Sequence, residues 1–243
     1  MLGRLLHKAL YRMLPLEGYL QVVSALFFLS YRLRLGRRSR ATEYVYHLPR
    51  LVRPGDTVID IGANLGYYAR PLSRLVGLTG KVYAVEPVPV VCRVLRHNLQ
   101  RCPNVEILNY ALGTETKTVA MSNDSAEKSG YLGTGQNFVG ESASSHAVSF
   151  TAQMRRGSEL FATLDRLDFI KCDVEGYELH IMREIRPLLE HFRPTVLIET
   201  GGENRQQIIA LFTELGYRGY TLVNGAERPL TPDTDKDIIF RQA

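Results

Sequence analysis

Cysteine is scarce in this chain: Cys92, Cys102 and Cys172 are the three among 243 residues, and no two form a CxxC pair. So few and so scattered, they exclude a disulfide framework and a zinc knuckle, and free thiols fit a reducing compartment. The six histidines have no HxxxH or HExxH spacing, so no dedicated metal site is expected. A membrane-length apolar run is missing too. Tyr19–Tyr31 (YLQVVSALFFLSY) is apolar almost all round but only thirteen residues long. As a helix it reaches roughly 20 Å at ~1.5 Å per residue, short of the ~30 Å hydrocarbon core. No small-residue cleavage site follows, and YRLRLGRRSR is the wrong flank for a signal peptide. The expectation is a cytoplasmic protein. With 45% hydrophobic and 23% charged residues it has the composition of a globular protein, which excludes a disordered chain or a collagen-like rod.

The charge is uneven. Residues 1–40 carry eight Lys or Arg against Glu17 alone, a balance of +7, so the whole-chain +5 leaves residues 41–243 at −2. The basic character belongs to an N-terminal arm, and the slightly acidic remainder argues against a nucleic-acid partner. Leu2, Leu5, Leu6, Ala9, Leu10, Met13 and Leu14 recur at helical spacing, with Arg4, Lys8 and Arg12 mostly off that stripe. Two readings stand for residues 1–40. One is a membrane-surface element with Arg32 to Arg40 against anionic lipid; the other is a helical pair packed on the domain or on a second copy.

From residue 56 strand-like and helix-like segments alternate. The strands are Thr57–Gly62, Lys81–Pro87, Val105–Leu112, Leu167–Val174, Pro194–Thr200, Gly219–Asn224 and Asp237–Gln242. Helical patterns run to Val76 after the first, then over Pro89–Cys102, Tyr177–Phe192 and Asn204–Gly216. That alternation predicts a mostly parallel α/β sheet with helices on both faces, and ligands beyond the carboxyl ends of its strands. Lys117–Ser122 and His146–Met154 look like an inserted strand pair around a Gly-, Ser- and Asn-rich stretch, 123–145, expected to be a flexible substrate loop or lid.

The first strand–turn–helix, DIGANLG (Asp60–Gly66), carries the main signal. Gly62 permits a tight turn, Gly66 a close helix, and Glu86 falls 20 residues beyond Gly66, where a ribose-binding acid is expected. Two departures separate it from a dinucleotide fingerprint. The middle glycine, which lets backbone reach a pyrophosphate, is Asn64, and Asp60 at the strand end would repel a pyrophosphate while attracting a cation. S-adenosylmethionine has an ammonium, a sulfonium and no phosphate, so a methyltransferase is favoured. Farther on, Lys171, Asp173 and Glu175 of KCDVEGYE fall on one side if the extended conformation persists, and charges at the end of an apolar strand need pairing. Glu175 is a candidate to orient or deprotonate an acceptor hydroxyl, Glu199 a second candidate base, and His146 a weaker one.

Taken in order, PGDTVIDIGANLGYYA, VYAVEP, NYALG, TLDRLDFIKCDVEGYE and PTVLIET resemble the FkbM family of S-adenosylmethionine-dependent methyltransferases. The resemblance runs from about Glu43 to the C-terminus, with Cys172 in place of a more usual aliphatic residue. It implies a class I methyltransferase fold: a Rossmann-like, mostly parallel seven-stranded sheet at 41–243, with an inserted hairpin-like loop and a helical arm at 1–40. It implies methyl transfer to a hydroxyl of a small molecule, sugar or lipid-linked glycan. Carried onto this sequence, Asp60, Gly62, Ala63, Asn64 and Gly66 line the methionine end of the cofactor, with Tyr67 and Tyr68 nearby. Glu86 and Pro87 take the ribose, and Asn109, Tyr110 and Ala111 frame the adenine. Asp173 faces the sulfonium region. The alternatives are an NAD-linked oxidoreductase on the same kind of sheet and a membrane-associated binding module with a degenerate pocket.

Overall fold

The computed structural model describes residues 2–37, 39–140, 147–202, 204–231 and 237–242. The arm forms two helices, α1 (Leu2–Met13) and α2 (Leu16–Arg32), separated at Pro15, and a short α3 (Glu43–His47) leads into the domain. Then come β1 (Thr57–Ile61), α4 (Ala69–Val76), β2 (Lys81–Val85), α5 (Pro89–Leu99) and β3 (Val105–Leu108). An inserted region follows with β4 (Ala111–Leu112), β5 (Lys117–Asn123), α6 (Ser125–Ser129), β6 (Phe138–Val139), β7 (Val148–Arg155) and α7 (Gly157–Leu160). The chain closes with β8 (Phe169–Cys172), α8 (Glu178–Glu184), α9 (Arg186–Phe192), β9 (Thr195–Glu199), α10 (Asn204–Glu214), β10 (Tyr217–Val223), β11 (Ala226–Pro229) and β12 (Asp237–Gln242).

The main sheet has eight strands in the order β11-β10-β12-β9-β8-β1-β2-β3. β9, β8, β1, β2 and β3 are parallel, and β12 runs antiparallel between β9 and β10. The seven expected strands are all there. The eighth, β11, is a hairpin partner of β10 made by Asn224-Gly225, whose φ of 53° and 74° suit the two-residue turn that matches strand twist. Strands buried on both faces explain the near-continuous apolar runs. Ile59, Ile61 and Ile170 pack with α8 and α10, while Val58 and Val82 pack with α4 and α5.

Two expected elements are interrupted. The strand read over 105–112 leaves the main sheet after Leu108; Asn109 turns aside, and β4 pairs instead with β7. The helix read over 177–192 breaks at Ile185, because Pro187 lacks the N–H that continuation would need. The inserted region is a second, four-stranded sheet, β4-β7-β5-β6, in which β5 and β7 are the expected antiparallel pair. Residues 123–140, expected as a loop, are folded: Asn123 donates to Gly133 O and Asn137 Oδ1, and Ser122 to Gly140 O. His146 lies outside the described residues, as do residues 141–145.

Part of the arm belongs to this core. Tyr19 and Leu20 are fully buried in a cluster with Leu65, Val94, Met121 and Leu132, and Tyr19 Oη donates to Leu132 O at 3.1 Å. Leu5, Leu6 and Met13, part of the expected α1 stripe, stay exposed; Leu10 and Leu14 make the contact instead. No helix among the described residues is long and apolar enough to cross a membrane. Leu20→Ala should destabilise the whole domain by about 2–5 kcal/mol in a denaturant melt. An unchanged midpoint would mean that the arm is detached from the fold.

Candidate active site

The sheet order reverses at β1. The chain steps outward from β1 through β2 to β3, then returns to build β8 and β9 on the other side. The carboxyl ends of β1 and β8 therefore open a crevice, the place where α/β sheets take ligands. A cleft enclosing about 790 Å³, part of it open to solvent, lies there. Its walls come from the turn after β1, the end of β2, β4, the turn after β8 and the inserted sheet.

Backbone geometry makes the turn. Gly62 has φ of 76°, and a Cβ on it would lie 2.0 Å from the Asp173 carbonyl oxygen, so no other residue fits between β1 and β8. Asn64 also sits in the left-handed region, at φ 52°, which asparagine tolerates better than most side chains. Gly66 lets α5 approach, with a Cβ there only 3.1 Å from Leu95. Glu86 ties the turn to α5: Asn64 N–H donates to one carboxylate oxygen and Val88 N–H to the other, each at 2.9 Å. Burial drives the Glu86 pKa up to about 7, against those two backbone donors.

Beneath the turn sits a buried charge cluster. Asp60 is 0% exposed, and among the described residues neither of its oxygens makes a well-formed hydrogen bond, the Ala69 backbone N–H being a weaker contact. Its register partner Lys171, 4% exposed, places Nζ 3.9 Å from Asp60 Oδ1, 3.2 Å from Asp173 Oδ2 and 3.3 Å from the Gly62 carbonyl. The ammonium also stands 4.9 Å over the Tyr68 ring. Burial raises the Asp60 pKa to about 6, with Lys171 holding it down. Burial opposes the Lys171 charge, yet Asp173 and Asp60 outweigh it and raise its pKa. Asn64 Oδ1 is a third buried atom without a partner. Buried polar atoms left unmatched by the chain imply a donor-bearing ligand or water.

The strand alternation read through Glu175 does not persist. β8 ends at Cys172, and Glu175 and Gly176 take φ of 54° and 99°. Buried Glu178 holds that turn by accepting from Val174 N–H and Gly176 N–H, both at 3.1 Å. The turn still gathers acids: one carboxylate oxygen each from Asp173, Glu175 and Glu199 lie within 4.8 Å of one another. Burial, then the charge of Asp173 and a hydrogen bond shared with it, then Asp237 and Glu175, push Glu199 up to about 8.

Of the residues expected from sequence, Gly62, Ala63, Asn64, Tyr67, Tyr68, Glu86, Pro87, Tyr110, Ala111, Lys171, Asp173 and Glu175 line the cleft. Four do not. Asp60 lies beneath the turn, Gly66 behind it, and Glu199 beside Asp173; Asn109 pins the loop by donating to the Glu86 and Pro87 carbonyls at 2.8 and 3.0 Å. Sequence reading missed the roof, made by Met121, Thr134, Gly135, Asn137 and Val139 of the insertion, and Tyr177, which packs against the same cluster. A Cβ on Gly135 would lie 3.8 Å from Glu175 Oε1 and 3.9 Å from Asn64 Nδ2, so this segment covers the turns. Nothing in its local pattern signals that, because its position depends on distant Tyr19.

The Methyltransferase FkbM domain model matches residues 60–218. The chain is 25% identical to Methyltransferase sdnD of Sordaria araneosa over 214 residues, 72% of this chain and 78% of that protein. It is 35% identical to the Protein-L-isoaspartate O-methyltransferase of Aeropyrum pernix over 65 residues, 27% of this chain. The chain spans about a quarter of the length of the isoaspartate methyltransferases it matches. Among solved structures, Methyltransferase FkbM from Methylobacillus flagellatus is similar in fold, with a TM-score of 0.50 at 16% identity over 82% of this chain and 50% of that one.

Asp60, Glu86 and Glu199 all have folded pKa values above their ordinary ones, so the proton-bound form favours the fold. Their contribution is complete below about pH 4 and is lost as pH rises through about 6, 7 and 8. The melting temperature of the unliganded protein should fall by several degrees from weakly acidic to weakly alkaline pH. Glu199→Gln should flatten the upper part of that slope; a rise over the same range would contradict the cluster.

Proposed function

The chain belongs to the FkbM family of methyltransferases, and on that premise we propose that it is an S-adenosylmethionine-dependent O-methyltransferase. Its acceptor is a hydroxyl of a small molecule, a sugar or a lipid-linked glycan. The observation that supports this most is the gathering of Asp173, Glu175 and Glu199 where the cleft meets the buried Asp60–Lys171 pair. A hydroxyl is a poor nucleophile until it sheds its proton, and a carboxylate with a raised pKa is suited to take it.

The residues present fit the cofactor. The unmatched Asn64 oxygen, with the Asp60 carboxylate beneath it, suits a cationic amino-acid end, and the spare lone pairs of Glu86 suit a ribose diol. Tyr110 and Ala111 flank the part of the cleft left for a flat base. When bound, S-adenosylmethionine supplies a methyl group already activated on a sulfonium. The chain holds the acceptor in line and removes a proton. Glu175, on the cleft wall, orients the hydroxyl, and the proton passes to the hydrogen-bonded Asp173–Glu199 pair, of which Asp173 reaches the cleft and Glu199 lies behind it. One cation, Lys171, among Asp60, Asp173, Glu175 and Glu199 leaves the site net negative, which disfavours a phosphate-rich acceptor such as nucleic acid.

Positioning supplies on the order of 7–11 kcal/mol in favourable cases, whereas a general base adds about 10²–10⁴-fold. Glu199→Gln should therefore slow methyl transfer to a hydroxylated acceptor about 10²-fold without abolishing it. Glu199 acts when ionised, so wild-type turnover should rise with pH and level off above about 8. The variant should lose that rise, and a variant that kept the wild-type pH profile would remove Glu199 as the base.

A further inference from the structure

The arm leaves apolar side chains to solvent that the fold does not use. Leu5, Leu6 and Met13 of α1 are exposed, Met13 to 80%, as are Leu26 and Leu29 of α2 and Leu33 and Leu35 just after it. At 100° per residue, Leu5, Leu6, Ala9 and Met13 share one side of α1, Arg4, Lys8 and Arg12 the next, and His7, Leu10 and Tyr11 the side facing the domain. All three basic residues of α1 are exposed, as are Arg32, Arg34, Arg37 and Arg40. Beside Leu29 a cavity of about 770 Å³, part of it open to solvent, gathers Arg32 from α2 with Arg70 and Arg74 from α4, and no acidic residue among the described residues lines it. Arg70 is held over the Phe28 ring at 4.5 Å.

We infer that the arm is a docking surface for an anionic phospholipid bilayer. The apolar side of α1 enters the headgroup boundary, the flanking arginines meet negative lipid, and the Arg32–Arg70–Arg74 cavity receives a headgroup phosphate. Charge decides between a bilayer and a second copy of the chain. Two arms at +7 each, face to face, would set like charges together, whereas an anionic leaflet offers the opposite sign. Neither helix needs to span, which agrees with their length and hydropathy. The surface shares a wall with the cleft: the Phe27 ring of α2 packs against Tyr67 with centroids 4.3 Å apart and the rings tilted by 49°, and Tyr67 lines the cleft.

Sedimentation of the full chain with vesicles tests this, using phosphatidylcholine alone and phosphatidylcholine mixed with phosphatidylglycerol. Mixed vesicles should carry the protein down, neutral ones should leave it in solution, and added salt should release it. Arg32→Gln with Arg74→Gln should weaken binding about fivefold per charge removed. Leu5→Gln with Met13→Gln should weaken it too, and both variants should melt at the wild-type temperature because these side chains are exposed. No sedimentation, or equal sedimentation with both vesicles, would overturn the inference. So would a concentration-dependent dimer that Leu5→Gln with Met13→Gln dissolves, since a second copy would then be the occupant.

Discussion

The Lys171 ammonium, buried where β1 and β8 end together, is the interaction on which the site depends. Removing a charge from water costs several kcal/mol, and an attraction recovers that only with good geometry and further hydrogen bonds. Lys171 has both: Asp173 at 3.2 Å, Asp60 at 3.9 Å, the Gly62 carbonyl at 3.3 Å and the Tyr68 ring above it. The arrangement is still incomplete from the side of Asp60, whose two oxygens make no well-formed hydrogen bond among the described residues. A carboxylate kept in the core with its pKa raised is costly for stability and useful for binding a cation. The fold tolerates it at the point where the sheet order reverses.

Around that cluster, backbone conformations do what side chains could not. Gly62 is there because the Asp173 carbonyl leaves no room for a Cβ. Glu86 and Glu178 play parallel parts, each a buried carboxylate accepting two backbone N–H groups to set one of the turns that frame the cleft. Removing either would leave donors unmatched and release a turn. The acids at the cleft are thus of two kinds. Glu86 and Glu178 hold shape, and Asp173, Glu175 and Glu199 crowd one another until a proton is shared.

Local pattern made some of this legible in the sequence. DIGANLG and VEP stand at the carboxyl ends of near-continuous apolar runs, and the alternation of strands with helices placed those ends where the cleft is. The alternation across KCDVEGYE failed at Glu175, because Gly176 and the Glu178 carboxylate turn the chain within two residues. An Asn-Gly pair between Val223 and Ala226 carried the signal for the eighth strand, and it is the hairpin that adds β11. Other features had no local signal. That Asn109 would pin a loop rather than line the cleft, or that residues 134–137 would roof it, depends on contacts across more than twenty residues and on the arm reaching Leu132 through Tyr19. Leu5, Leu6, Ala9 and Met13 of the α1 stripe point outward for the same reason: periodicity identifies an apolar face but not what it meets.

The most direct test of the central claim is calorimetric titration with S-adenosylhomocysteine, which retains the ammonium, of the wild type and of Asp60→Asn, a near-isosteric change that removes only the buried charge. The wild type should bind S-adenosylhomocysteine and leave NAD unbound, and Asp60→Asn should bind at least about tenfold more weakly, as removal of the buried counter-charge beneath the site predicts. Wild-type affinity should fall as pH drops through about 6, where Asp60 takes a proton. Equal affinity for the two proteins, or binding of NAD by the wild type, would contradict the account of Asp60 as the cofactor's counter-charge.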